Sequence, residues 1–288
     1  MKHGVPKLSI REMQSTDLLF AAACTSAEGW VSEDLATLEG FFLHDPQGCF
    51  VAESEGKPLG MCIATWYGAS GFVGELIVHP EARGKGLGAA LLNQAVEYLH
   101  VRGAKTVYLD GVLKAVDLYE RNGFRKVCRS WRFSGTPAGR STLNVRRMAI
   151  DDLDQVVGLD RYAFGEDRSF FLRRRLEQFP ELGLVMVEGS KVTDYILGRG
   201  GEGWLSAGPW VVRGNATNPE ILLEAFALEA RGRPISLGML DANQKACELA
   251  RSLGLEARAD SPWRMALGPA QDLGASPGCY AVGSAAKG

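Results

Sequence analysis

The 288-residue sequence has no stretch approaching the roughly 18 uninterrupted apolar residues that span a bilayer. Its opening, Met1-Lys2-His3-Gly4-Val5-Pro6, lacks the apolar core of a signal peptide, so a cytoplasmic protein with no membrane partner is expected. Long runs of Lys and Arg are also missing. The 32 basic and 34 acidic side chains leave a formal charge of −2, which argues against a nucleic-acid partner. The six cysteines (Cys24, Cys49, Cys62, Cys128, Cys247, Cys279) form no CxxC pair, which fits reduced, buried thiols better than a disulfide frame. Four histidines form no HxxxH-type pair, so no metal is expected. What is present is ample apolar material, 46% of residues, which excludes disorder for most of the chain. The length allows one large domain or two ordinary ones.

The residue pattern favours two. Leu8-Ser9-Ile10-Arg11 reads as a strand, and Ser15, Thr16 and Asp17 offer N-cap chemistry for a helix through Cys24. Residues 49–53 and 59–67, separated by Glu55-Gly56-Lys57-Pro58, read as a hairpin, followed by a strand from Phe72 to Val78. Apolar positions 87, 91, 92, 95, 96 and 99 recur at helical spacing and stop at Arg102-Gly103. A strand (106–110), a short helix (114–121) and a further strand complete a mixed α/β sheet. After the small-residue stretch 134–142 the order recurs, with helices near 151–160, 169–179, 219–230 and 244–252 and strands near 184–188, 193–197, 204–212 and 235–240. Ala115, Leu118, Gly123 and Phe124 reappear 131 positions later as Ala246, Leu249, Gly254 and Leu255. Each set precedes a Trp-Arg pair, Trp131-Arg132 and Trp263-Arg264. The expected division is 1–135, a linker at 136–143, and 144–288. The residues from Pro269 onward are small and read as disordered, except that Cys279-Tyr280-Ala281-Val282 is suited to dock as a strand.

The chemistry concentrates between Leu76 and Leu92, where an apolar strand stops at Pro80 and a loop with Gly84, Gly86 and Gly88 opens an amphipathic helix. Glycines there let several N–H groups converge, and the positive end of the helix favours an anion, so the segment is a phosphate cradle in physical terms. It is not a Walker loop, which needs Lys then Ser or Thr where Gly88-Ala89 stands. Asp110 could imitate the acid of a dinucleotide fold, but the strand meander ahead of the loop argues against that fold.

Arg83-Gly84-Lys85-Gly86-Leu87-Gly88 fits the pattern Arg/Gln-x-x-Gly-x-Gly/Ala. Together with Val78-His79-Pro80-Glu81 before it and Leu118-Tyr119-Glu120-Arg121-Asn122-Gly123-Phe124 after it, it resembles the GNAT N-acetyltransferase superfamily over residues 8–133. The second half resembles a degenerate copy, as in two-domain bacterial members. The resemblance implies tandem domains, each a mostly antiparallel central sheet flanked by helices, and acetyl-CoA as cosubstrate. It places the pyrophosphate on the amides of Arg83, Gly84, Lys85, Gly86, Leu87, Gly88 and Ala89, and the pantetheine along Leu76, Ile77 and Val78. It also implies direct transfer to an amine.

By the same resemblance Tyr119 is the proton donor to the departing thiolate, and Ala250, its counterpart in the second half, cannot donate. The second half offers only Arg213-Gly214-Asn215-Ala216-Thr217-Asn218 in place of the glycine motif, so it is not expected to transfer acetyl groups. Glu75 is the nearest carboxylate for a general base. Strand alternation puts 72, 74, 76 and 78 on one face and 73, 75 and 77 on the other, whereas the family base corresponds to Gly74 or Phe72. A bulge would re-aim Glu75. Trp30, Tyr67 and Phe72 are expected to wall the acceptor pocket, and Asp160, Phe164, Asp167 and Arg168 to line a cleft between the halves. The expected function is N-acetylation of a small-molecule or amino-acid amine by a monomer or homodimer. A silent acyl-CoA sensor and a protein lysine or N-terminal acetyltransferase are the alternatives.

Overall fold

The computed structural model describes residues 8–201, 203–213, 218–269 and 273–288. The first half contains β1 (Leu8–Glu12), α1 (Leu18–Ala27), α2 (Leu35–His44), β2 (Cys49–Ser54), β3 (Lys57–Trp66), β4 (Ser70–Val78), α3 (Leu87–Val101), β5 (Thr106–Gly111), α4 (Val116–Arg121) and β6 (Arg125–Gly135). The second contains β7 (Val145–Arg147), α5 (Leu153–Phe164), α6 (Ser169–Gln178), β8 (Gly183–Glu188), β9 (Lys191–Gly201), β10 (Trp204–Val211), α7 (Glu220–Ala230), β11 (Ile235–Leu240), α8 (Gln244–Ser252), β12 (Glu256–Ala257), β13 (Trp263–Leu267) and β14 (Cys279–Ala281).

Each half begins as an antiparallel meander and then makes one parallel junction. Ser70–Phe72 pair with Thr106–Tyr108 in the first, and Leu205–Ala207 with Ile235–Leu237 in the second. In the first half, α1 and α2 cover the sheet face carrying Met61, Ile63, Phe72 and Ile77. The opposite face, with Cys62, Ala64, Val73, Leu76 and Val78, packs on α3 through Leu91, Leu92, Ala95 and Leu99. Those helical positions are the ones whose spacing predicts α3, and burying each leucine contributes about 2 kcal/mol.

Strand exchange joins the halves into one sheet ordered β1-β2-β3-β4-β5-β13-β6-β11-β10-β9-β8-β7. From the second half, β13 enters between β5 and β6, while β6 extends beyond it to pair with β11 and β12. The two repeated Trp-Arg pairs meet at this seam. Arg264 Nε donates to Asp110 Oδ1 at 2.5 Å and Arg132 Nη2 to Asp110 Oδ2 at 2.8 Å, and the Asp110 side chain is 0% exposed. Burial alone would raise that carboxyl, but the guanidiniums of Arg264 and Arg132 outweigh it and hold it below its ordinary range. Asp110 therefore ties the halves together.

The sequence pattern missed α2, β7, β12 and β13. Gly40 interrupts the apolar pattern of α2, whose start is fixed by Asp34 accepting from the Thr37 N–H at 2.9 Å. With three residues, β7 is too short to show periodicity. The six cysteines are free and buried, and Cys279–Ala281 docks as a strand.

Candidate active site

Between β4 and α3 the backbone turns through left-handed geometry at Gly84 (φ 76°) and Gly86 (φ 81°). A Cβ at either position would meet no atom within 4 Å, so backbone angle rather than crowding calls for glycine. Gly86 caps α3 without a side chain, and the Ala90 N–H is the first to bond back, to Gly86 O at 3.0 Å. The N–H groups of Leu87, Gly88 and Ala89 therefore face out of the helix start without intrahelical acceptors, at the positive end of a 15-residue helix. The nearby cations have protein partners: Arg83 Nε donates to Val78 O at 2.9 Å and Lys85 Nζ to Glu81 O at 3.0 Å. Glu28 takes both the Arg83 guanidinium and Lys114 Nζ. What remains for an anion is backbone amide.

Past Phe72 and Tyr108, β4 and β5 diverge, and among the described residues no strand covers the facing edge of β4. Leu76, Ile77 and Val78 lie on this edge, leading from the glycine loop down to the divergence. Tyr119 projects from α4 against the end of β5: a Cβ on Gly111 would sit 2.9 Å from its ring. Burial raises its phenol.

The bulge lies in β4. Gly74 faces Ile63 and Ile77 faces Met61, so Glu75 and Leu76 together oppose Cys62, and Glu75 adopts φ 51°. Simple alternation, which puts 75 and 77 on one face and 72, 74, 76 and 78 on the other, is corrected here. Phe72 and Ile77 share the α1/α2 face, while Val73, Leu76 and Val78 share the α3 face. Glu75 is buried, its Oε2 has no hydrogen-bond partner, and burial followed by the charge of Glu33 pushes its carboxyl well above the ordinary value.

The charges that act on Glu75 are those of Glu33, Lys287 and Arg199, a buried cluster that the sequence pattern describes only in part. Tyr67 and Phe72 are buried in the core on the α1/α2 face, Tyr67 donating to Lys287 O at 2.6 Å and packing edge-on to Phe164 at 5.3 Å. Trp30 is half-buried on the same core, and its carbonyl accepts from the N–H of Glu33 at 2.9 Å. Glu33 in turn pairs with Arg199 at 2.7 Å, and both are buried. Asp160 and Arg168 form a buried pair, and Arg168 Nη1 reaches Gly288 O, so this part of the expected cleft lies against the first half. Asp167 stays exposed and pairs with Arg161. No local pattern marks Glu33, Phe41, Phe171, Arg175, Arg199 or Lys287, because they come from separate segments that only tertiary packing unites.

The second half repeats the bulge. Ala207 faces Gly198 and Trp210 faces Ile196, leaving Gly208 and Pro209 opposite Leu197. Gly208 thus stands where Glu75 does, and Ala250, at the place of Tyr119, is fully buried. The divergence of β10 from β11 is filled by the chain itself. β14 pairs Ala281 with Trp210 and Cys279 with Val211, and the Val282 N–H donates to Gly238 O at 2.8 Å. Residues 214–217, within the counterpart of the glycine loop, lie outside the described residues.

A divergent strand pair beside a bulged strand occurs in both halves, and in the first a glycine-opened helix follows it. Residues 10–124 match the Acetyltransferase (GNAT) family, and residues 156–275 match an Acetyltransferase (GNAT) domain. The chain belongs to the GNAT family, with two-domain architecture. Among curated proteins it is similar to the thialysine N-epsilon-acetyltransferase of Sus scrofa, 30% identical over 126 residues that make up 36% of this chain and 74% of that protein. It is 37% identical over 99 residues to an uncharacterized N-acetyltransferase of Methanocaldococcus jannaschii, covering 30% of this chain and 44% of that protein. It is also 36% identical over 107 residues to the mycothiol acetyltransferase of Stackebrandtia nassauensis, covering 34% of this chain and 35% of that protein. The chain thus spans less than half the length of these last two relatives. A crystal structure from Pyrococcus horikoshii, assigned as an acetyltransferase, shares the fold across 100% of this chain and 99% of that one, with TM-score 0.82 and 21% identity. A tandem GNAT protein of the clavulanic acid biosynthesis pathway does so across 92% of this chain and all of that one, with TM-score 0.61 and 15% identity.

Proposed function

We propose that the first half transfers the acetyl group of acetyl-CoA to a primary amine of a small molecule or amino acid by direct attack. The observation that carries this reading is the bulge at Glu75, which sets a buried carboxyl among the charges of Glu33, Lys287 and Arg199 next to the β4 edge. The residues suit acetyl-CoA: open glycines and unpaired helix amides for the pyrophosphate, and the β4 edge at Leu76–Val78 for an extended arm. Glu75 in its carboxylate form takes the amine proton, and Tyr119 supplies one to the departing sulfur. Two relatives whose names specify an ε-amine and mycothiol support an amine acceptor. The same reading assigns cofactor binding to residues 1–135, a link to 136–143, and pocket walls to 144–288.

The test is thiol release from acetyl-CoA across a panel of primary amines, with products read by mass spectrometry. We expect turnover with at least one amine, and a drop in kcat of about a hundredfold or more for Tyr119→Phe with little change in the KM for acetyl-CoA. Binding of CoA with no turnover on any amine would overturn the catalytic reading in favour of a sensor.

A further inference from the structure

Beyond β14, residues 283–288 cross into the pocket of the first half. The N–H groups of Gly283 and Ser284 turn back onto Gly288 O at 2.8 and 3.3 Å, Arg168 Nη1 donates to the same oxygen at 2.9 Å, and Tyr67 Oη holds Lys287 O. Ala286 lies directly on Gly74, where a Cβ would come within 2.4 Å of Ala286 O. The absent side chain at Gly74, which departs from the family's usual base position, thus makes room for this segment. The bulge supplies the carboxyl from the next residue instead.

The segment carries one amine. Lys287 is buried, with Nζ 4.4 Å from the ring centroid of Phe41 and 5.0 Å from that of Phe171. The carboxyls of Glu33 and Glu75 and the guanidiniums of Arg175 and Arg199 surround it. Glu33 is engaged by Arg199, and the amine rests on the two rings rather than in a close ion pair. A cavity of about 40 Å³ lined by Ser32, Thr37, Phe171, Arg175 and Arg199 reaches Lys287. Burial, opposed by Glu33 and reinforced by Arg199 and Arg175, pushes the amine down to about 7, so its nucleophilic form is populated near neutrality. A desolvated primary amine within the electrostatic reach of Glu75, on the sheet face that the proposed function gives to the acceptor, is arranged as a substrate is.

We propose that Lys287 is a self-acetylation site, its ε-amine accepting the acetyl group from acetyl-CoA held by the same chain. The proposal rests on the reading of the first half given above. The Nζ lone pair attacks the thioester carbonyl carbon, and the N–C bond forms as the C–S bond breaks. Nitrogen loses one proton to the Glu75 carboxylate, and sulfur leaves as the free thiol with one proton from Tyr119, which regains one from solvent as Glu75 gives its own up. The product is a lysine amide, with nothing oxidised or reduced.

The full chain is incubated with isotopically labelled acetyl-CoA, label is located by peptide mass spectrometry, and CoA binding is measured by calorimetry on the same sample. The expected result is one acetyl group on Lys287, formed at a first-order rate independent of protein concentration. That rate should fall at least tenfold in Glu75→Gln and under saturating desulfo-CoA. Lys287→Arg should lose the label while still binding CoA, which shows that the variant is folded. Bound CoA and an acetylated free amine with Lys287 unlabelled would overturn the proposal and leave the segment a plug, with the reading of the first half intact. Labelling undiminished by desulfo-CoA would overturn it as mere chemical reactivity. Failure to bind CoA would overturn it together with that reading.

Discussion

The two halves share a sheet plan down to the bulge, yet their divergent strand pairs hold different things. In the first half no strand among the described residues covers the β4 edge below a glycine-opened helix. In the second the equivalent gap between β10 and β11 is occupied by β14, and Gly208 and Ala250 stand where Glu75 and Tyr119 would act. A gap suited to an extended pantetheine is also suited to an extended peptide, because both bond to a bare strand edge. Filling the second gap with β14 has a further effect: the chain leaving β14 is delivered into the pocket of the first half. One copy's lost groove thus shapes the other copy's site.

The comparison breaks most severely at Asp110, where the repeated Arg132 and Arg264 converge. Asp110→Ala leaves the Arg264 guanidinium buried and unpaired, and should cost about 3–5 kcal/mol in urea unfolding. Because β13 completes the first half and β6 the second, both halves should melt in one transition in the variant as in the parent. Separate transitions would show that strand exchange does not couple the copies.

A smaller effect is expected at the glycine loop, which distinguishes the first half. Gly86→Val forces a branched side chain into φ 81°, costing about 1–2 kcal/mol and displacing the amides at the start of α3. CoA affinity should fall at least tenfold by calorimetry while the rest of the fold persists. Unchanged affinity would remove the loop from the cradle.

Much of this was legible in sequence because it is local. The periodicity at 87–99, the glycines before it and the small-residue stretch after 133 each carry a short-range signal. The face of Glu75 was legible only through the bulge that the sequence reading allowed, since alternation assumes a straight strand and one extra residue opposite Cys62 reverses every side chain beyond it. Strand exchange and the threading of Lys287 past Gly74 join segments more than a hundred residues apart, with no periodic trace. One missed element did have a signal. Ile10-Arg11 and Met13 with Asp17-Leu18 recur 135 positions later as Val145-Arg146 and Met148 with Asp152-Leu153, which marks β7 despite its three residues.

That repeat provides the finest comparison, because here the halves agree. Arg11 donates to Asp17 Oδ2 at 2.7 Å and the Gln14 N–H reaches the same oxygen at 2.7 Å. Arg146 and the Ala149 N–H do the same for Asp152 at 2.6 and 2.7 Å. In both, hydrogen bonding from the arginine holds the aspartate below its ordinary value of 3.8. A depressed folded-state value contributes stability that is present above 3.8 and lost as pH falls through that depressed value. Asp17→Asn and Asp152→Asn should therefore each cost about 1 kcal/mol at neutral pH, since Arg11 and Arg146 remain partly in solvent. Both differences from the parent should shrink together on acidification in urea titrations. Matched losses would confine the asymmetry of the halves to the divergent strands and what fills them. A large loss at one aspartate only would mean that the copies had also drifted apart at the start of their folds.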